Sequence, residues 1–261
     1  MVPRALTIAT SDSGGGAGIQ ADLKAFAAAG CHGMSVLVAL TAQNTAAVTD
    51  VHTLPSAFVR TQLDAVFDDI GVDAAKTGML FSRELIETVA DYLERHPVPL
   101  VVDPVMIASS GAKLLEDDAV ETLVGRLFPL ATVVTPNLHE AHNLVAQSHK
   151  VLGRAELAEA IHALGAPAVI VTGGHGEEAV DHLFDGDRHV EIPVARHDVR
   201  ATHGAGCTHS ATLAAHLARG SSLEESAYAA ARAASEAVRH GFVELGAGEG
   251  PVDVLNVEGA A

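Results

Sequence analysis

Aromatic residues and positive charge are both scarce in this sequence. It has seven Phe, two Tyr and no Trp in 261 residues, so it has little material for the aromatic platforms on which single-stranded nucleic acids stack. Only 16 Lys and Arg stand against 33 Asp and Glu, which gives a formal net charge of −17. Such a surplus of negative charge repels a phosphate backbone. The composition therefore argues against nucleic acid as a partner.

Cysteines and long apolar runs are also few. Cys31 and Cys207 are the two cysteines; a widely separated pair offers no disulfide framework and is typical of a reducing cytosol. No apolar run approaches the roughly 20 residues of a membrane-spanning helix. The apolar stretch near the N-terminus is too short for a signal peptide. We therefore expect a cytoplasmic protein without a membrane partner.

The sequence does have ample core material and a regular alternation of elements. Apolar residues make up 48% of the chain, and no repeat or composition shift divides it, so we expect one domain over residues 1–261. Apolar strands separated by helices predict a mostly parallel sheet covered on both faces. A hairpin around Asp185-Gly186-Asp187 predicts an antiparallel edge. The expected parallel strands are Ala5–Ala9, Val36–Leu40, Val72–Lys76, Leu100–Val102, Thr132–Thr135 and Ala168–Thr172.

Ligands of open α/β sheets bind beyond the carboxyl ends of the strands, and a glycine-rich segment (residues 11–18) follows the first strand. Glycine lets the backbone approach a ligand and point amides at it, although the segment can also be a simple turn. Its glycine spacing is not that of a dinucleotide-binding fingerprint. Asp22, four residues further on, is expected either to reach the same site or to favour the helix N-terminus.

Residues 71–78 imitate a nucleotide-binding P-loop but lack the glycine before the lysine, and Lys76 ends an expected strand. We therefore reject this segment as a P-loop and expect Lys76 at the edge of the core. Asp103 and Glu140 each follow a strand, and two carboxylates at one sheet edge suit hydrated Mg²⁺. The alternative for these two residues is a turn former and a charge in the first turn of a helix.

Residues 202–210 open a long Ala-rich helix with small side chains. Gly204, Ala205 and Gly206 expose backbone amides there, which is typical of an anion-binding site. Cys207 is expected to have a lowered pKa at this helix N-terminus and to act as base or nucleophile. The alternative is a small residue packed at the start of a helix.

Taken in order, these segments resemble the hydroxymethylpyrimidine and phosphomethylpyrimidine kinases of thiamine synthesis, in the ribokinase-like superfamily. The resemblance implies a three-layer α/β/α fold, a homodimer as in many relatives, and ATP-dependent phosphorylation of a primary alcohol on a small heteroaromatic ring, with ATP and Mg²⁺ as cofactors. The segments that carry it are residues 11–26, TAQNT (41–45), KTGML (76–80), DPVM (103–106), TPNLHEA (135–141), GGH (173–175) and THGAGCTHSA (202–211).

The resemblance also implies a role for each matching residue. Gln43 would pair its amide with the ring nitrogen and exocyclic amine of an aminopyrimidine. Cys207 would be the base, beside a phosphoryl site at Gly204, Ala205 and Gly206. The remaining residues would line the substrate pocket (Thr10, Asp22, Met79, Val105), bind ATP (Asn137, Thr172, Gly173, Gly174) or hold Mg²⁺ (Asp103, Glu140).

Two alternatives to this function remain open. The first is a pyridoxine/pyridoxal kinase, a sister group built on the same scaffold, which Thr172 and Ala205 resemble. The AQN segment with Gln43 instead favours the aminopyrimidine. Thr10 stands where the hydroxymethylpyrimidine kinases typically have glycine. A non-catalytic ligand-binding regulator is the other alternative. The intact Cys207 and Glu140 argue against it.

Overall fold

The computed structural model describes residues 1–106, 115, 117–145, 152–173 and 179–257. The strands in this part of the chain are β1 Arg4–Asp12, β2 His32–Gln43, β3 Val48–Thr53, β4 Ala74–Thr77, β5 Leu100–Val102, β6 Val133–Val134, β7 Val169–Val171, β8 Val180–Phe184 and β9 His189–Pro193. The α-helices are α1 Gly18–Ala28, α2 Ser56–Ala65, α3 Arg83–Arg95, α4 Asp117–Thr122, α5 Leu138–Leu144, α6 Arg154–Ala163, α7 Ala205–Ala218 and α8 Leu223–Arg239.

The strands form one sheet in the order β3-β2-β1-β4-β5-β6-β7-β8-β9. Neighbours from β2 to β7 are parallel; β8 pairs antiparallel with β7, and β9 pairs antiparallel with β8. These pairings confirm the expected mostly parallel sheet with an antiparallel edge. The opposite edge is also antiparallel, through β3. The sequence did not predict β3, because most of its side chains are exposed and it has no continuous apolar run.

Helices cover both faces of the sheet, as the three-layer expectation requires. One apolar core packs α2, α3, α4 and α6 against it, and a second packs α1, α7 and α8 on the other face. Helix α3 shows how the sequence builds a layer. Ser82 caps it by accepting a hydrogen bond from the Leu85 amide, and Leu85, Val89 and Leu93 recur every fourth residue on its buried face.

The topology brings the candidate site residues to one edge of the sheet. Parallel strands end side by side, so the segments that follow β1, β4, β5, β6 and β7 are neighbours there. Asp12 ends β1, Thr77 ends β4 and Asp103 follows β5. Among the described residues, no helix is both long enough and apolar enough to cross a lipid bilayer.

Candidate active site

The glycine-rich loop (residues 13–17) folds around Asp12. The Asp12 carboxylate accepts hydrogen bonds from the amides of Gly14 at 2.8 Å, Gly16 at 3.0 Å and Ala17 at 2.9 Å. It also lies 3.1 Å from Nε2 of His203. Burial alone would raise the pKa of Asp12, but these hydrogen bonds lower it overall. The three amides thus bind Asp12, which corrects the expectation that they point at a ligand.

The glycine-rich loop packs directly against the segment that opens α7. Gly204 has φ +89°, and a Cβ there would overlap the carbonyl oxygen of Gly16. Gly18 has φ +56°, and a Cβ there would overlap the carbonyl oxygen of Thr10. The backbone amide of Gly18 lies close enough to the Cys207 thiol to lower its pKa. Bare glycine backbone therefore allows the two loops to meet.

Helix α7 presents free amides at its N-terminus. Its first helical hydrogen bond runs from the Thr208 amide to the Gly204 carbonyl at 2.9 Å, so the amides of Gly206 and Cys207 have no acceptor within the helix. Gly206 is exposed. The Ala205 amide donates to an upstream carbonyl at 3.0 Å, which removes it from the predicted anion-binding set.

Lys76 lies at the centre of a buried group of charges, not at the edge of the core as expected. It is 0% exposed, its Nζ donates to Asp22 Oδ1 at 2.8 Å, and it lies 3.7 Å from Asp103 Oδ2. We call Lys76, Asp22 and Asp103 the charge cluster. Burial alone would lower the pKa of Lys76, but the negative charges of Asp22, Cys207 and Asp103 raise it overall. Lys76 is therefore an ammonium ion beside the candidate base.

The carboxylates of the charge cluster have further hydrogen-bond partners. Asp22 is fully buried and accepts the Thr7 hydroxyl at 2.6 Å in addition to Lys76. The Ser210 hydroxyl, on α7, donates to Asp103 at 2.8 Å. Asp22 thus binds Lys76 beneath the site, and its predicted place in the substrate pocket stays a prediction.

The pKa of Cys207 is raised, contrary to the sequence-based expectation. Burial raises the pKa of its thiol to about 12, and the nearby Lys76 charge and Gly18 amide only partly offset this effect. The thiol is therefore neutral near pH 7 in this structure. The expectation of a lowered pKa considered the helix N-terminus but not the burial of the sulfur.

Glu140 and Asp103 form a pair of buried carboxylates. Asn137 caps α5: its side chain accepts the Glu140 amide at 2.9 Å, and the Glu140 carboxylate accepts the Asn137 amide at 3.0 Å. Burial and the negative charge of Asp103 raise the pKa of Glu140 to about 8. Two repelling carboxylates are stabilised by a divalent cation, and Mg²⁺ takes its other ligands from water and phosphate. The donor set therefore fits Mg²⁺ bound together with a phosphate.

The two carboxylates do not form a self-sufficient metal cage. In the ranges that the structure describes, no group of three or more His, Cys, Asp and Glu is arranged to hold a metal ion. The fit to Mg²⁺ thus depends on ligands that a phosphate and water supply.

The segment after β7 joins the same edge. The Thr172 amide donates to the Pro136 carbonyl at 2.9 Å, which places Thr172 beside Asn137. The Gly173 amide donates to Asp181 at 2.6 Å. Gly174 lies outside the described residues. The structure thus brings together Asn137, Thr172 and Gly173 of the predicted ATP-binding set.

The predicted substrate-binding residues fall into two places. Gln43 lines a cavity of about 250 Å³, together with His203, residues 44–48, Gly248 and Glu249. The lining of this cavity does not include Thr10, Met79 or Val105. Thr10 instead donates its hydroxyl to the Met79 carbonyl at 3.1 Å.

Sequence reasoning did not predict several buried polar contacts between the side chains that position the site residues. Asp12, Lys76 and His203 are described above; Asp181 and His209 are a further buried pair, with His209 Nε2 3.0 Å from Asp181. Each is a polar side chain with little exposure, and such groups are buried only with partners. The available signal was Lys76 in an otherwise apolar strand, which requires a carboxylate nearby.

The chain is similar to known phosphomethylpyrimidine kinases and pyridoxal kinases. The family model described as phosphomethylpyrimidine kinase matches residues 12–253. A hydroxymethylpyrimidine/phosphomethylpyrimidine kinase of Rhizobium meliloti (strain 1021) is 50% identical over 259 residues, which cover 97% of this chain and 97% of that protein.

Solved structures of pyridoxal kinases share the fold. An ADP complex of the Bacillus subtilis enzyme has a TM-score of 0.90 and 39% identity, covering 99% of each chain. The Staphylococcus aureus enzyme with AMP-PCP and pyridoxal has a TM-score of 0.88 and 34% identity, covering 99% of this chain and 95% of that one. The three-layer fold expected from the resemblance is confirmed.

Proposed function

The chain belongs to the phosphomethylpyrimidine kinase family, and from this premise we propose the reaction of its site. The protein is an ATP-dependent kinase of thiamine biosynthesis. It transfers a phosphoryl group from ATP to 4-amino-5-hydroxymethyl-2-methylpyrimidine, to the monophosphate of that compound, or to both. The non-catalytic regulator considered above is not proposed, because the family is one of kinases.

One observation supports this proposal: the free amides at the start of α7, a buried carboxylate pair and a polar cavity lie at one sheet edge. Phosphoryl transfer asks little covalent chemistry of a protein and depends on positioning and charge stabilisation. The free amides of Gly206 and Cys207 would hold the oxygens of the transferring group. The ammonium of Lys76 lies close to them and partly balances the two negative charges of Asp22 and Asp103.

Mg²⁺, when bound with ATP, supplies charge neutralisation for the phosphate oxygens. Asp103 and Glu140 would hold it, since their mutual repulsion leaves them in need of a cation. Asn137 and Thr172, side by side next to Glu140, would contact the nucleotide. ATP and Mg²⁺ are in this way the cofactors that we propose for the chain.

We propose that Cys207 accepts the proton of the attacking alcohol. Its thiol is protonated in this structure because burial raises its pKa to about 12, so it must lose its own proton to solvent before it can act as a base. The resulting thiolate then takes the proton of the alcohol, which a loose transition state releases only late. The Lys76 ammonium is the group that stabilises the thiolate as it forms, so Lys76 acts through Cys207 as a positioning and electrostatic residue.

Pyridoxal phosphorylation is the second candidate. It is favoured by the likeness to the pyridoxal kinase of Bacillus subtilis at 39% identity and by Thr172 and Ala205. Gln43 favours the aminopyrimidine, because an amide presents a donor and an acceptor together to the adjacent amine and ring nitrogen of that compound.

We also propose that the chain is a single catalytic domain and acts in the cytoplasm as a homodimer. The exposed apolar side chains of Leu40, which pairs with β3, and Phe58, in the helix that follows β3, are 40% and 53% exposed and would suit such a contact. No nucleic acid or membrane partner is expected, given the net charge of −17.

Replacing Gln43 by Met tests the substrate assignment. The change leaves the polar edge of the aminopyrimidine unpaired, so binding weakens by about 1–3 kcal/mol, measured by isothermal titration calorimetry. The Michaelis constant for ATP in a coupled assay stays at its wild-type value. Unchanged aminopyrimidine affinity in this variant, with tight pyridoxal binding by the wild type, contradicts the assignment.

A further inference from the structure

The backbone of Gln43 is fixed by the glycine-rich loop. The Ser13 hydroxyl donates to the backbone carbonyl of Gln43 at 2.7 Å, and the backbone N–H of Gln43 donates to Ser13 Oγ at 2.8 Å. Position 43 is therefore held in place before any ligand binds. What remains to be set is the direction in which the side-chain amide turns.

Thr41 flanks the side-chain amide on one side. Its Oγ1 lies 3.2 Å from one end of the amide, at Oε1. The Thr41 hydroxyl also donates to the Ser11 carbonyl at 2.9 Å. Thr41 has a single hydroxyl hydrogen, and its contact with the Ser11 carbonyl, which can only accept, is the shorter of the two, so we assign the hydrogen to that bond. Thr41 thus presents an oxygen lone pair to Gln43.

His203 flanks the other end of the amide. Its Nε2 lies 3.4 Å from Gln43 Nε2 and 3.1 Å from Asp12 Oδ2. The Asp12 carboxylate accepts three backbone amides and is an acceptor only. Nε2 of His203 must therefore carry a hydrogen, which points mainly at Asp12, so the side of Nε2 that faces Gln43 offers no lone pair and repels an NH₂ group.

These two neighbours decide the orientation of the amide, since its oxygen and nitrogen have the same shape and hydrogen bonding distinguishes them. A lone pair on Thr41 requires the NH₂ group, and the protonated Nε2 of His203 favours the carbonyl oxygen. Both sides therefore favour the same orientation, with the Gln43 oxygen toward His203 and the nitrogen toward Thr41. The second lone pair and the second hydrogen remain for a ligand in the cavity.

We propose that Thr41 and the Asp12–His203 pair are positioning residues that fix the amide of Gln43 and so select the heteroaromatic ring. The ring must offer a hydrogen-bond donor on the His203 side and an acceptor on the Thr41 side, as an exocyclic amine beside a ring nitrogen does. A ring without the amine leaves the oriented oxygen unpaired, which such sites discriminate against strongly. This inference rests on the proposed function and specifies its substrate class.

Calorimetry with two ligands tests the inference: 4-amino-5-hydroxymethyl-2-methylpyrimidine and the same compound without the 4-amino group. The ratio of their dissociation constants measures recognition of the amine. In the wild type we expect the amino compound to bind about tenfold or more tightly. In Thr41→Val the Gln43 amide loses one of the two neighbours that orient it, so the ratio of dissociation constants falls severalfold. Thr41→Ser keeps the hydroxyl and restores the wild-type ratio.

A matched control comes from the same hairpin. Thr49→Val also removes a hydroxyl that donates to a backbone carbonyl, that of Ala42 at 2.9 Å, but at an exposed position, and it leaves the ratio unchanged. His203→Leu lowers the ratio as Thr41→Val does. Because His203 also packs against the glycine-rich loop, the Thr41 variants decide the question if His203→Leu does not fold.

Steady-state kinetics separates positioning from a general loss of structure. In Thr41→Val the Michaelis constant for the aminopyrimidine rises, while kcat and the Michaelis constant for ATP stay near wild type. Suppose that the wild type phosphorylates the aminopyrimidine, and that the ratio of dissociation constants is lost in Gln43→Met but stays at its wild-type value in Thr41→Val. The inference is then overturned and the proposed function stands. If the wild type phosphorylates neither ring with ATP, both are overturned.

Discussion

Replacement of Lys76 by Met removes the cation of the charge cluster but keeps a side chain of nearly the same size at position 76. Lys76 is fully buried, 2.8 Å from Asp22 and 3.7 Å from Asp103. Breaking a buried ion pair by removing one partner costs about 3–5 kcal/mol, because an uncompensated charge stays buried. Here two carboxylates lose the same partner, so we expect the upper part of that range.

Urea unfolding of the wild type and the variant measures this loss. With an m-value of about 2–3 kcal/mol/M, the unfolding midpoint of Lys76→Met falls by about 1.3–2.5 M. Burial raises the pKa of Asp22 in the folded state, and loss of the Lys76 charge raises it further, so protonation of Asp22 favours folding. The loss is therefore largest near pH 7 and shrinks as the pH falls toward about 4, the unfolded pKa of Asp.

The double variant Lys76→Met/Asp22→Asn supplies the control. It removes the buried charge on both partners, so its loss is smaller than the sum of the two single losses. A loss below about 1 kcal/mol for Lys76→Met, or strict additivity in the double variant, would refute the buried charge cluster.

Three further changes test other parts of the site. Glu140→Gln should raise the Mg²⁺ concentration for half-maximal activity more than the Michaelis constant of the alcohol, and unchanged activity at limiting Mg²⁺ would leave Glu140 only its helix-capping role. Gly204→Ala should abolish activity and lower the stability to urea much more than Gly220→Ala does. Both glycines have φ above +80°, but only at position 204 would a Cβ meet backbone atoms, those of Gly16. Equal losses of stability in the two variants would contradict the close approach of Gly204 to Gly16. Cys207→Ala should lower kcat by about 10²–10⁴. Since burial raises the pKa of Cys207 to about 12, iodoacetamide should modify it slowly at pH 8 and faster as the pH rises, by peptide mass mapping; rapid modification at pH 7 would contradict the neutral thiol.

The sheet was largely predictable from the sequence because its central strands are buried on both faces. Continuous apolar runs such as Leu100–Val102 indicated them directly, and the helices between them followed from their spacing. Strand β3 was not predictable, since Val48–Thr53 is mostly exposed and pairs with β2 on one side only. An exposed edge strand lacks the apolar pattern that a buried face produces in the sequence.

The site was predictable where the chemistry lies in a local motif and not where distant residues meet. The glycine-rich segment and the loop before α7 could be found, but not that Gly204 lies against Gly16. The pKa of Cys207 was predicted in the wrong direction because burial depends on the whole fold. The partnership of Asp12 with His203 joins positions 191 residues apart, and no local pattern reports it.

The most direct test of the proposed function is a competition between the two candidate substrates. Purified protein receives ATP, Mg²⁺ and equal concentrations of 4-amino-5-hydroxymethyl-2-methylpyrimidine and pyridoxal, and mass spectrometry quantifies the phosphorylated products at low conversion. We predict that the phosphorylated aminopyrimidine predominates and that its formation requires ATP. Predominant pyridoxal phosphate, or no phosphorylated product from either alcohol, would contradict the account.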